Sequence, residues 1–137
     1  MKSEKELEQA LKISVDKDNI INLAILELQP NLDDQDVFVK LINKAISEIL
    51  DKNPQKRYKL LVNIIAEEKG KRFSVNSRKI AVKIVSDERL SKTVVIGSNI
   101  VSKVIVNFII KAAGKDGKMK WFTKKEENQA LKWLKEE

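Results

Sequence analysis

The chain has 137 residues, 42% of them apolar and 34% charged, with a formal net charge of +7; that is enough for one domain with its own core and too apolar for a disordered chain. It contains no cysteine and no histidine, which removes disulfides, thiolate chemistry, histidine metal ligands and Ser-His-Asp catalysis. No apolar run nears the roughly 20 residues a membrane helix needs, and the charged start Met1-Lys-Ser-Glu-Lys-Glu lacks a signal-peptide core, so the expectation is a cytoplasmic protein with no membrane insertion, no metal, no cofactor and no catalytic residue.

Residues 1–10 are charged and weakly patterned, a tail or a frayed helix, and residues 11–137 read as a single domain. Lys12–Val15 and Ile20–Leu28 are expected to pair as a hairpin around Asp16-Lys-Asp-Asn19, because Asp and Asn bond their own main chain and tolerate left-handed backbone. The second strand is nearly all apolar, as a strand covered on both faces should be. After Pro30-Asn31, the acids Asp33, Asp34 and Asp36 crowd a helix start, where negative charge meets the positive end of the dipole. Phe38, Leu41, Ile42, Ala45 and Ile49 follow at helical spacing. Asp51-Lys-Asn-Pro54 ends that helix, and Tyr58–Ile65 is the next buried strand.

Ser74 is placed to cap a second helix whose inner face is Ile80, Ala81, Ile84 and Val85. Thr93–Gly97 is a third buried strand, and Ser98 caps a third helix with Val101, Val104, Ile105, Phe108, Ile109 and Ala112 inward. Gly114 stands where a helix end wants a left-handed residue. A last short strand reaches Thr123, and Glu126 three residues on gives the capping-box spacing for a final helix with Ala130, Leu131 and Leu134 on one face. The order is ββαβαβαβα: an α/β domain with a mixed sheet of about five strands and four helices.

Few residues invite chemistry. Gly97-Ser98-Asn99 joins a strand to a helix, but without a second glycine or a Gly-Lys-Ser it reads as a tight turn and cap rather than a phosphate loop. Asp16/Asp18 and Asp33/Asp34/Asp36 lack the glycine and closing glutamate of a calcium loop. Trp121, Phe122 and Trp133 read as core. Asn107, beside an apolar helix face, anchors a loop or faces a partner. Between Lys52 and Lys83 ten Lys/Arg oppose two acids, but no aromatic platform interleaves them, so only weak nucleic-acid association is expected. Ser74 and Ser77, beside Arg72, Arg78 and Lys79, are the candidate phosphorylation sites, and those three cations the candidate interaction surface, since a phosphate at a helix start meets free N–H groups and basic side chains.

Three stretches carry a family resemblance: Tyr58-Lys-Leu-Leu-Val-Asn63, Ser74-Val-Asn-Ser-Arg78, and Asn107-Phe108 with Phe122-Thr123 and Ala130-Leu-Lys-Trp-Leu134. Over roughly residues 10–135 the chain resembles the SpoIIAA-like class, which includes the STAS (sulphate transporter and anti-sigma factor antagonist) and SEC14-like domains. More closely it resembles the small bacterial single-domain branch. Asn63 stands where that strand usually ends in Asp, and Asn76-Ser77 where the antagonists carry an Asp-Ser pair with a phosphorylated serine. The resemblance implies a non-catalytic regulatory or interaction module, without a metal, that binds a protein partner; control by phosphorylation is the added expectation, against which the two asparagines stand. Its SEC14-like side implies, as the alternative, a binder of a small apolar ligand.

Overall fold

A computed structural model describes residues 2–66, 73–98 and 100–136, with the backbone alone for Val101. The strands are β1 (Leu11–Val15), β2 (Ile20–Ile25), β3 (Tyr58–Ile64), β4 (Leu90–Gly97) and β5 (Met119–Thr123). The helices are α1 (Glu4–Glu8), α2 (Leu32–Lys52), α3 (Val75–Val85), α4 (Ile100–Ala113) and α5 (Glu127–Lys135), the last entered through a short 3₁₀ turn at Lys124–Glu126. The strands lie side by side in chain order, β1 antiparallel to β2 and every later pair parallel. The mixed α/β sheet expected from the sequence is therefore present with its four expected helices, and among the described residues α1 adds a short helix in the segment expected to be a tail or a frayed helix.

This strand order dictates the layers. Right-handed crossovers that always step in the same direction leave their helices on one face. That face gathers α2, α3 and α4, with α1 against α2. Its core runs from Ile21, Leu23 and Leu60 to Phe38, Ile42, Ile46 and Leu50 of α2, and continues at Val95, Val106, Ile109 and Met119 under α4. Strand side chains alternate, so Ile20, Leu61, Val94 and Ile96 point the other way, where among the described residues α5 is the one helix that covers them, with Ala130 and Leu134.

Local chemistry sets the ends. Ser3 caps α1 through a capping box with Glu6, and Leu7 of that helix is fully buried. Asp16 accepts from the N–H groups of Asp18 (2.8 Å) and Ile20 (3.1 Å), and Asn19 takes φ 60°. Asn31, not an aspartate, caps α2 by accepting from Asp33 and Asp34. Gly114 has φ +65° after α4. Glu126 accepts from the Thr123 N–H and hydroxyl, both at 3.0 Å.

Three expectations need correction. β2 ends at Ile25 rather than Leu28, because Leu26 N–H turns aside to the Ala10 carbonyl at 2.7 Å. β4 begins at Leu90, three residues before Thr93. α4 is rotated: Ser102, Val106 and Ile109 are buried, whereas Val104 is 63% and Phe108 49% exposed and Ala112 lies at the surface. α4 is apolar on most sides, so periodicity does not fix which stripe meets the sheet. The expected inner residue Val101 lies outside the described side chains.

Candidate functional site

The polar centre of the molecule joins the start of α2 to the start of α3. Ser74 caps α3, its Oγ accepting from Ser77 N–H at 2.9 Å. The same Ser74 hydroxyl donates to Oδ1 of Asp36, and the Ser77 hydroxyl donates to that oxygen at 2.8 Å. Asn76 Nδ2 reaches Oδ2 at 3.5 Å. The Ser74 hydrogen bond holds the Asp36 carboxyl below its ordinary pKa against the opposing effect of burial; Ser77, Asn76 and the charge of Lys40 add to it. Next to Asp36, Gln35 Oε1 accepts from the Ser74 N–H at 3.0 Å and Gln35 Nε2 donates to the Gln29 carbonyl at 3.1 Å. Two turns of helix from different crossovers are thus clamped by one carboxylate and one amide.

Ser77 is fully buried and Ser74 half-buried. The group their hydroxyls meet is an acid rather than the cations the sequence set beside them. Arg78 turns the other way, its guanidinium carbon 5.2 Å from the Phe108 ring centroid, and Lys79 is exposed. Arg72 lies outside the described residues, as does Asn99 of the Gly97-Ser98-Asn99 junction.

Asp36 is the residue that sequence reasoning missed. The sequence groups it with Asp33 and Asp34 as a dipole partner, yet only those two stand in the first turn of α2. A third acid one turn too late for the dipole was the available signal that it served another element.

The other flagged side chains go to structure. Phe122 and Trp133 pack on the core beneath α5 with ring centroids 6.4 Å apart, and Trp121 packs beneath α4 while donating to Ser102 Oγ at 3.0 Å. Asn107 is exposed. Cations of the basic segment are engaged locally: Lys56 lies over the Tyr58 ring, Arg57 donates to the Glu88 carbonyl at 2.9 Å and Lys59 to the Glu136 carbonyl at 3.4 Å. Among the described residues no helix is long and apolar enough to cross a membrane.

Beneath α2, α3 and α4 lies a cavity of about 210 Å³ lined almost wholly by apolar side chains, among them Leu23, Phe38, Ile42, Val95, Ile105 and Met119. Gln29 also lines it. Its Oε1 accepts from Lys2 Nζ at 2.9 Å, while its buried Nε2 has no hydrogen-bond partner among the described residues.

A five-stranded mixed sheet with three crossover helices on one face and a closing helix on the other defines an α/β domain of SpoIIAA type. A family model described as SpoIIAA-like matches residues 23–135, and the chain belongs to that family. No curated protein and no solved structure matches the chain. The family suggests a regulatory module of the anti-sigma antagonist type, a class that is generally non-catalytic and typically binds protein partners.

Proposed function

We propose that this domain is a non-catalytic cytoplasmic regulatory module that binds a protein partner, and that phosphorylation at the start of α3 controls the contact. The observation that carries this is the Asp36 clamp on Ser74 and Ser77. A phosphoryl group on Ser74 replaces a hydroxyl donor with about −1.5 to −2 charges. It would face the Asp36 carboxylate directly, and like-charge repulsion would push the first turn of α3 away from α2. A switch of this kind changes the surface without unfolding the core. Ser74 is the accessible target. Ser77, fully buried, is reached only once that turn has opened, while Arg78 and Lys79 on the next turn belong to the partner surface.

Mass spectrometry of the protein from its native cells should find phosphate on Ser74. Partner binding should then differ between the unmodified chain and the Ser74→Asp variant. Phosphate found only at other positions, or equal binding by Ser74→Asp, Ser77→Asp and the parent, would defeat the proposal.

The cavity favours a second reading, the binding of a small apolar ligand. Its apolar lining suits a short hydrocarbon body, and the unpaired Gln29 Nε2 suits a carbonyl or carboxylate oxygen at one end. Under this reading decanoate should raise the melting temperature of the parent protein more than that of Gln29→Leu. An equal shift, or none in either, removes this reading.

A further inference from the structure

We infer that the outer face of α3 and α4 docks an acidic amphipathic helix of the partner protein, with Arg78 as its anchor. This rests on the proposed function, that the domain binds a protein, and assigns the surface and the partner's chemistry.

Ile100, Val104 and Phe108 are 73%, 63% and 49% exposed. Spaced by four, they form one stripe about 12 Å long at the helical rise of 1.5 Å per residue. Val75, 57% exposed, stands in the first turn of the neighbouring α3. Single exposed apolar residues are ordinary, but successive turns of one helix left bare mark a contact surface.

The charge carried by the two helices themselves has one sign, although Asp36 reaches the start of α3 and Glu126 lies near Lys103. Neither α3 nor α4 contains an Asp or Glu, and together they carry Arg78, Lys79, Lys83, Lys103 and Lys111. Arg78 is the most telling of these. It lies over the Phe108 ring, and among the described residues no carboxylate pairs with it. Arg89, by contrast, holds both Asp87 and Asp51 at 2.8 Å. A guanidinium seated on an aromatic ring with no carboxylate beside it can receive one from outside through its terminal amino groups.

The form of the occupant follows from the form of the site. An apolar stripe at one-turn spacing, flanked by a second helix and basic side chains, matches an amphipathic helix with its acids at the rim. Asn107, exposed between Val104 and Phe108, places an amide group in the patch. A peptide satisfies such groups; lipid hydrocarbon strands them.

The test is photo-crosslinking of the full chain in its native cells, with a benzophenone amino acid at Val104 or, on the far side of the sheet, at Lys132. Adducts from Val104 should map to a carboxylate-rich helical segment of a protein, and Arg78→Glu should cut their yield about tenfold. Because Arg78 packs on Phe108, the exposed double variant Lys79→Glu/Lys111→Glu serves as a second probe that leaves the packing intact, and it too should cut the yield. An acid-poor segment, or yields indifferent to both variants, overturns the inference. Adducts from Lys132 alone overturn the docking face and leave the interaction module standing. No protein adduct from either site overturns both. Arg78-dependent binding of the purified chain to phosphatidylcholine–phosphatidylglycerol vesicles, without a protein adduct, also overturns it and assigns the face to a membrane surface.

Discussion

Replacing Leu134 with alanine is expected to lower the unfolding free energy by about 2–5 kcal/mol, the usual cost of emptying a core leucine site. Leu134 is fully exposure-free, as is Ala130 one turn earlier, and the two meet Ile20, Leu61, Val94 and Ile96. No other helix covers that side of the sheet among the described residues, so the loss cannot be made good by a neighbour closing in. Leu131 sits beside this cluster and is only partly buried, so Leu131→Ala should cost distinctly less. Urea midpoints at a common slope measure both. Equal small shifts would show that α5 does not hold the sheet as described.

The second large effect is expected at Asp36. Asp36→Ala leaves the fully buried Ser77 hydroxyl without its acceptor, and a stranded buried donor costs about 1–3 kcal/mol. The carboxyl also makes a pH-dependent contribution whose sign is fixed. Its folded pKa is lowered, chiefly by the Ser74 hydroxyl, so its stabilisation is fully present above the unfolded value of about 3.9. It is lost as pH falls through that value towards the folded one. Asp16, Asp87 and Glu126 are lowered too, so the parent protein's acid sensitivity is shared. The difference between parent and Asp36→Asn isolates one group. Asn keeps an acceptor oxygen but cannot titrate, and its stability should fall less steeply between about pH 5 and pH 2. Parallel curves would show that Asp36 is not ionised in the clamp.

What could be read from the chain alone was what short-range patterns determine. Buried strands such as Tyr58–Ile64, the Asp16–Asn19 turn, the Ser74 cap and the Thr123–Glu126 pair all follow from residues within a few positions of one another. What could not be read depends on distant partners. The Asp36 clamp joins positions 38 and 41 residues apart, and no local rule pairs an aspartate in one helix with serines in the next. The rotation of α4 escaped for a related reason: with Ile, Val and Phe on most sides, its orientation is decided by the sheet beneath it. Leu7 was hidden among charges in a segment too short to show a period, yet it is fully buried.

The strand order has a consequence for synthesis. Because β1 to β5 lie side by side in chain order, each strand leaving the ribosome finds the edge it needs already made, and the sheet can grow outward with translation. The reverse side cannot be finished in that way. Ile20, Leu61, Val94 and Ile96 stay open to water until α5 has emerged, so the nascent chain carries a bare apolar surface through most of its elongation. A chaperone that holds nascent chains would find its sticking point there.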